Sequence, residues 1–411
     1  MSSGSSLVQL LRNRDFSLYW SGVALSEIGL RGTFVVNLYH VYALSGSTAL
    51  VGVVGVVQGV ALVTLSPLGG AIADRVDRRR LLQITQSLSL VASLTLGVLS
   101  ITGVVAIWHI YLAVLLNTVA SAFDSPARTA LIPALVPRRQ LAQAFAIVNP
   151  TRQLAILVGP AIGGLLIAAA GPGAMYLLDA VTYLALVIIL RFLRVPPLSS
   201  PARPVAVWSN IREGAAFVRH RPLIGQLMSL DLSTTLLAGW RVVLPALAVE
   251  VLQVGEVAYG LLAAAPSAGA LIGTVVIFRL ADRWMTGRVV LVSTAAYGGA
   301  CIALAQAPNL WLALGAGAII GGTDALASVV RDAAVQLETP DELRGRVTSL
   351  YQVAVRGGPA LGDANVGWLS TFIGPVAALS LGGAVPVVVA GGFMMWGRRV
   401  RDYRVAASES Q

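Results

Sequence analysis

The chain has 411 residues, 56% of them hydrophobic and only 12% charged, with a mean hydropathy of +0.78. Soluble domains carry roughly 25% charged residues, so the composition argues against a water-soluble enzyme. The formal charge of +10 comes from 29 basic residues, every one an arginine. They gather at the ends of apolar runs, a pattern that points to membrane phosphates and not to nucleic acid.

In chain order, residues 2–16 lack the apolar core of a signal peptide, so the first hydrophobic run is expected to remain as a spanning helix. Runs long enough to cross roughly 30 Å of hydrocarbon at about 1.5 Å per residue centre on residues 26–42, 51–68, 82–99, 111–123, 145–168 and 176–190. Six more follow at 230–247, 260–278, 289–305, 311–327, 347–369 and 376–396. The pattern predicts an all-α membrane protein with twelve transmembrane helices in two six-helix bundles, residues 1–193 and 222–411. A cytoplasmic linker, 194–221, joins them.

The connections fix an orientation. Arg75, Arg78, Arg79 and Arg80 crowd with Asp74 and Asp77 into a short loop between the second and third runs. Arg12 and Arg14, Arg138 and Arg139, residues 191–221, 279–288, Arg344 and Arg346, and residues 398–404 supply the other basic connections, whereas 45–47, 101–105, 170–173 and 307–308 hold no arginine. Positive charge marks the cytoplasmic side, so both termini are expected there. Within the linker, Pro196, Pro197, Pro201 and Pro204 precede Val207, Trp208, Ile211, Ala215 and Val218, whose near-helical spacing predicts an amphipathic helix on the inner membrane face.

The two halves repeat each other. Ala73-Asp74-Arg75 recurs as Ala281-Asp282-Arg283, and Gly159-Pro160-Ala161-Ile162-Gly163 as Gly358-Pro359-Ala360-Leu361-Gly362, each pair about 200 residues apart. Duplicated bundles facing one another across a midplane site are a common transporter plan.

Gly70-x-x-x-Asp74-Arg75-x-x-Arg78-Arg79 resembles the signature loop between helices two and three of the major facilitator superfamily. Asp77, where the wider superfamily often has glycine, is similar to the version in its bacterial drug and siderophore exporter branch, as is Leu343-Arg344-Gly345-Arg346-Val347. The second-half loop, Asp282-Arg283-x-x-x-Gly287-Arg288, is a weaker version. The resemblance implies a gating loop at Gly70, Asp74, Arg75, Arg78 and Arg79. It also implies an antiporter-type motif on the fifth helix at Gly159, Pro160, Gly163 and Gly164. Small residues there allow a second helix to approach closely, and Pro160 removes one backbone hydrogen bond; the readings are a seam between rocking bundles or plain tight packing.

Ionisable residues within hydrocarbon are expensive and mark functional sites. Glu27, Asp124, Asp231 and Asp324 fall on the first, fourth, seventh and tenth runs, and under the duplication Glu27 matches Asp231 and Asp124 matches Asp324. Arg31, Arg152 and Arg356 are also expected inside, making a network of paired charges. Arg31, one turn from Glu27, is its natural partner. Asp124 and Asp324 have local alternatives in Arg128 and Arg331. Competition between desolvation and Arg31 makes the protonation of Glu27 sensitive to its surroundings, and Glu27 is the expected proton carrier. Asp179 and Asp363 are further acids, placed nearer the outer side.

No metal cluster is expected from His40, His109 and His220, which are scattered, nor from the lone Cys301. No cofactor is expected either. Two functions are open: a monomeric secondary exporter that exchanges protons for a small amphipathic drug or siderophore, and a membrane-embedded enzyme acting on lipid. The sequence lacks a paired His-Glu metal pattern, a phosphate-cradling loop and a nucleophile with a base, which disfavours the enzyme.

Overall fold

The computed structural model describes residues 10–73, 75–194, 213 and 215–404. Asp74 and the 195–212 part of the linker lie outside the described residues, as do the side chains at 282, 283, 344 and 356 and the packing around Gly70.

The first half is built from α1 (Arg14–Ser45), α2 (Thr48–Ala73), α3 (Arg78–Ile101), α4 (Ile107–Leu135), α5 (Leu141–Ala170) and α6 (Pro172–Phe192). The second half is built from α7a (Pro222–Leu237), α7b (Trp240–Ala246) with a π turn at Leu247–Val251, α8 (Glu256–Trp284), α9 (Gly287–Ala305), α10 (Leu310–Leu337), α11 (Asp341–Ile373) and α12 (Pro375–Trp396). Ten helices among the described residues are long and apolar enough to cross a membrane. The other two long ones, α1 and α11, are those that carry Glu27 with Arg31 and Arg356 with Asp363.

Local chemistry sets the helix ends. Asp77 caps α3 by accepting from the backbone N–H groups of Arg79 and Arg80, and Asn309 caps α10 through Leu312. Proline opens α6, α7a and α12 at positions where its missing N–H costs nothing. The expected seventh run is one helix in sequence but two in the structure. It breaks at Ala238 and Gly239, and there the backbone of Gly362 on α11 lies where any side chain on Gly239 would have to go, about 2.6 Å from its Cβ position.

The chain divides into two compact units, Met1–Leu44 with Val60–Val205, and Ser45–Gly59 with Ala206–Gln411. Residues 45–59, expected with the first bundle, group with the second. Added Cβ atoms at Gly52, Gly55 and Gly59 would all meet α11 between Ala360 and Ala364, so small residues hold this stretch against that helix.

The repeat seen in the motifs reappears in the packing inside each unit. In unit 1, α1 meets α5 at Gly32 and Gly159, α2 meets α4 at Gly69 and Ala122, and α3 meets α6 at Gly97 and Leu177. In unit 2 the equivalent pairs are α7a with α11 at Thr235 and Gly358, α8 with α10 at Gly269 and Ala318, and α9 with α12 at Gly298 and Gly383. Each unit also has its own apolar core, around Phe16, Leu131 and Leu190 in one and Leu230, Leu291 and Val330 in the other. Beyond α12, the backbone N–H of Gly287 donates to Tyr403 and Arg288 pairs with Asp402 at 3.8 Å. The hydrogen bond from Arg401 holds the Asp402 carboxyl below its usual range.

A candidate site of buried ion pairs in each unit

In unit 1, Glu27 is 8% exposed and sits between two guanidinium groups, with Arg31 at 3.7 Å and Arg128 at 3.5 Å. Arg128, one turn beyond Asp124 on α4, also pairs closely with that acid and donates to Ser26 at 3.1 Å. From α3, Gln86 donates to Asp124 at 2.7 Å and Thr85 at 3.3 Å. Tyr19 donates to the backbone carbonyl of Arg128 at 3.0 Å. Two acids and two bases therefore balance within one cluster spanning α1, α3 and α4. Arg31 is its open edge, with its side chain 38% exposed.

Unit 2 carries a counterpart with different partners. Asp231 on α7a, 2% exposed, pairs closely with Arg331 on α10. Arg331 donates to the Tyr351 hydroxyl at 3.3 Å, and that hydroxyl donates to Asp332 at 2.7 Å. The matched pairs Glu27–Arg128 and Asp231–Arg331 thus join the first to the fourth helix of one repeat and the first to the fourth of the other. The expected local bond from Asp324 to Arg331 is not formed, because Arg331 is turned toward Asp231. Asp324 is exposed on α10, in the electrostatic field of Arg331 and Arg241. Arg152 is exposed on α5 and joins no ion pair among the described residues.

The basic loop residues are put to structural use within unit 1. Arg78 donates to the carbonyl of Ala130 on α4 at 2.9 Å, and Arg79 donates to those of Leu190 and Arg191 at 2.5 Å each, where α6 ends. The carbonyls of Leu190 and Arg191 lie in the last turn of α6 and have no partner in their own helix, and a cation at a helix C-terminus is favourable. Arg75 is exposed, and Arg80, 83% exposed, meets only Asp77 at 3.9 Å.

The fifth-helix glycines face α1 of their own unit. A Cβ on Gly159 would lie 2.7 Å from Cβ of Arg31 and 2.9 Å from the backbone of Gly32, and one on Gly163 would lie 3.2 Å from Val36. Pro160 and Gly164 are buried beside them. These contacts are the close packing that is one of the two readings of the motif, and they seat α5 against the helix that carries Glu27 and Arg31.

Sequence reasoning weighed Arg128 and Arg331 only as local partners of Asp124 and Asp324, and missed Gln86, Tyr19 and Tyr351. Gln86, with Ser89 and Ser93, is signalled by polar residues at helical spacing in an otherwise apolar run; nothing in the sequence marks Tyr19 or Tyr351.

Comparison with known proteins agrees with this architecture. A family model described as transmembrane secretion effector matches residues 5–411. The chain is 30% identical over 373 residues to the enterobactin exporter EntS of Salmonella choleraesuis (strain SC-B67), covering 89% of this chain and 88% of that protein. It is 29% identical over 362 residues to EntS of Escherichia coli O1:K1 / APEC, covering 88% and 86%. Among solved structures, the nucleoside transporter NupG superposes with a TM-score of 0.75 at 15% identity, covering 94% of this chain and 99% of that one. A bacterial homologue of the human lysosomal transporter Spinster gives 0.70 at 16%, covering 99% and 100%.

Proposed function

Because this chain belongs to the transmembrane secretion effector family of the major facilitator superfamily, we propose that it is a secondary exporter. It moves a small amphipathic molecule of the siderophore or drug class out of the cell in exchange for protons. The family consists of transporters, so the lipid-modifying enzyme is set aside. The observation that carries the proton reading is Glu27, a buried carboxyl held between one enclosed arginine and one partly exposed one. If substrate or a proton neutralises Glu27, Arg31 is released; if the proton leaves, Arg31 and Arg128 stabilise the anion. Proton and substrate then compete for one charge balance, which is the minimum that antiport requires. The arrangement of Asp231 with Arg331 makes Asp231 the alternative carrier.

In this reading α1 and α11 also span, giving twelve crossings with both termini in the cytoplasm of a bacterial inner membrane, as the placement of arginines supports. The protein works as a monomer. The siderophore class is supported by the named activity of the EntS relatives. The test is a deletion strain assayed for release of siderophore and for drug sensitivity, together with everted vesicles of the complemented strain. Siderophore retention in the deletion strain, and uptake into vesicles only when they are acidified inside, is the expected result. Uptake indifferent to the gradient would overturn antiport, and normal siderophore release with altered drug sensitivity would move the substrate to the drug class.

A further inference from the structure

Unit 1 contains a second polar feature that the Glu27 ion pairs do not use. On α1, Thr33, Asn37 and His40 recur at spacings of four and three, which places them on one helical face, and all are buried. On α3, Gln86, Ser89 and Ser93 do the same at spacings of three and four, and on α6 so do Tyr176, Asp179 and Tyr183. Polar side chains shut inside a membrane helix bundle cost free energy unless they serve one another or a function.

Contacts tie the three faces together. His40 Nδ1 lies 3.1 Å from the Tyr176 hydroxyl. Ser93 donates to Oδ2 of Asp179 at 2.9 Å, and the Thr33 hydroxyl faces the same carboxyl. Asp179 is wholly buried, with its other oxygen packed against α1 at Gly29, and among the described residues no cation pairs with it. One turn along α6, Tyr183 is buried and lies in the field of Asp179 and of the cluster residues Arg128, Asp124 and Glu27. Gln86 then reaches Asp124 itself. The column runs from the end of the unit where α1 finishes and α6 begins to the ion-pair cluster.

The equivalent positions of α12 in unit 2 carry neither an acid nor a tyrosine. Gly171-Pro172 and Gly374-Pro375 open α6 and α12 with the same positive-φ cap, φ 77° and 80°. Counting from those caps, Tyr176, Asp179 and Tyr183 correspond to Leu379, Gly382 and Pro386. The twelfth helix of the repeat therefore packs with apolar or small residues at those positions, so packing alone does not call for the Tyr176, Asp179 and Tyr183 face of α6.

We propose that this column conducts protons to the Glu27–Asp124 cluster, with Asp179 as the relay acid. A proton entering at His40 and Tyr176 protonates the Asp179 carboxylate. Asp179 then gives a proton to the Tyr183 hydroxyl oxygen as that hydroxyl releases its own toward Glu27, so that one proton moves and only O–H and N–H bonds are exchanged. This rests on the antiport reading and adds a path to it.

The test needs no substrate. Full-length protein in oriented proteoliposomes receives an acid jump on the side where α6 begins, and infrared difference spectra follow the carboxylic-acid C=O band that is absent in Glu27→Gln. In Asp179→Asn, which keeps the volume and the Ser93 hydrogen bond, that band rises at least about tenfold more slowly than in wild type, with the melting temperature unchanged. Tyr183→Phe removes one hydroxyl and nothing else; it gives the same slowing and serves if the asparagine variant does not fold. A wild-type rate in Tyr183→Phe and in a folded Asp179→Asn overturns the column and leaves antiport standing. If wild type shows no Glu27 band after the jump, the column falls and the coupling role passes to Asp231, with antiport itself decided by the vesicle assay.

Discussion

Glu27, Arg31 and Arg128 are the residues on which the mechanism turns, and their exposures separate their roles. Arg128 has a side chain 12% exposed and serves two acids, whereas Arg31 is 38% exposed and serves one. Breaking a buried ion pair from one side costs about 3–5 kcal/mol, because the remaining charge is stranded. We expect Arg128→Ala to lower the melting temperature in detergent sharply and Arg31→Ala to lower it little while impairing transport; the reverse order would show that Arg31 is the structural partner. Glu27→Gln, which mimics the protonated acid, is expected to abolish gradient-driven efflux yet bind substrate with an affinity that no longer varies with pH. Gradient-driven efflux at the normal rate in that variant would transfer the coupling role to Asp231.

At the scale of elements, the glycine seam between α5 and α1 and the arginine contacts at the start of α3 decide how unit 1 is held. A Cβ at Gly163 would already lie 3.2 Å from Val36, so even a methyl group is tight there and a branched side chain has no room. Gly163→Leu is therefore expected to push α5 off α1 and stop turnover while substrate binding survives; normal turnover at equal abundance would remove the seam from the mechanism. Arg79 and Arg80 are adjacent in sequence and opposite in consequence. Arg79 donates charge-assisted hydrogen bonds to the end of α6, each worth about 1.5–3 kcal/mol, and Arg80 is solvated. Arg79→Ala should destabilise the protein and Arg80→Ala should not, as read by thermal unfolding of the two purified variants.

For the whole molecule, the division of the chain carries its own prediction. Unit 2 includes residues 45–59, with Thr48 hydrogen-bonded to Ser370 and Gly52 and Gly55 against α11. A fragment of residues 206–411 expressed alone lacks that stretch and leaves the α11 face, Asp363 included, uncovered. Co-expression with residues 1–205 is expected to restore its protease resistance, and equal resistance of the lone fragment would show that residues 45–59 contribute nothing to unit 2.

What the sequence determined by itself is the class of the molecule and the identity of its costly groups. Hydrocarbon imposes long apolar helices and segregates arginine to one side, so the helices, the repeat and the acids Glu27, Asp124 and Asp231 are legible from a one-dimensional pattern. Partners one turn away on the same helix are legible, as Arg31 for Glu27 and Arg128 for Asp124, but partners on other helices are not. Arg331 stands about two turns from Asp324 in sequence yet turns to Asp231 on another helix, and Arg78 and Arg79 look topogenic but bond carbonyls more than fifty residues away. Which face of a helix meets which neighbour depends on where glycines let backbones touch, and that contact joins residues distant in the chain. The break at Gly239, the grouping of residues 45–59 with unit 2 and the polar column around Asp179 are for that reason decisions of the tertiary structure alone.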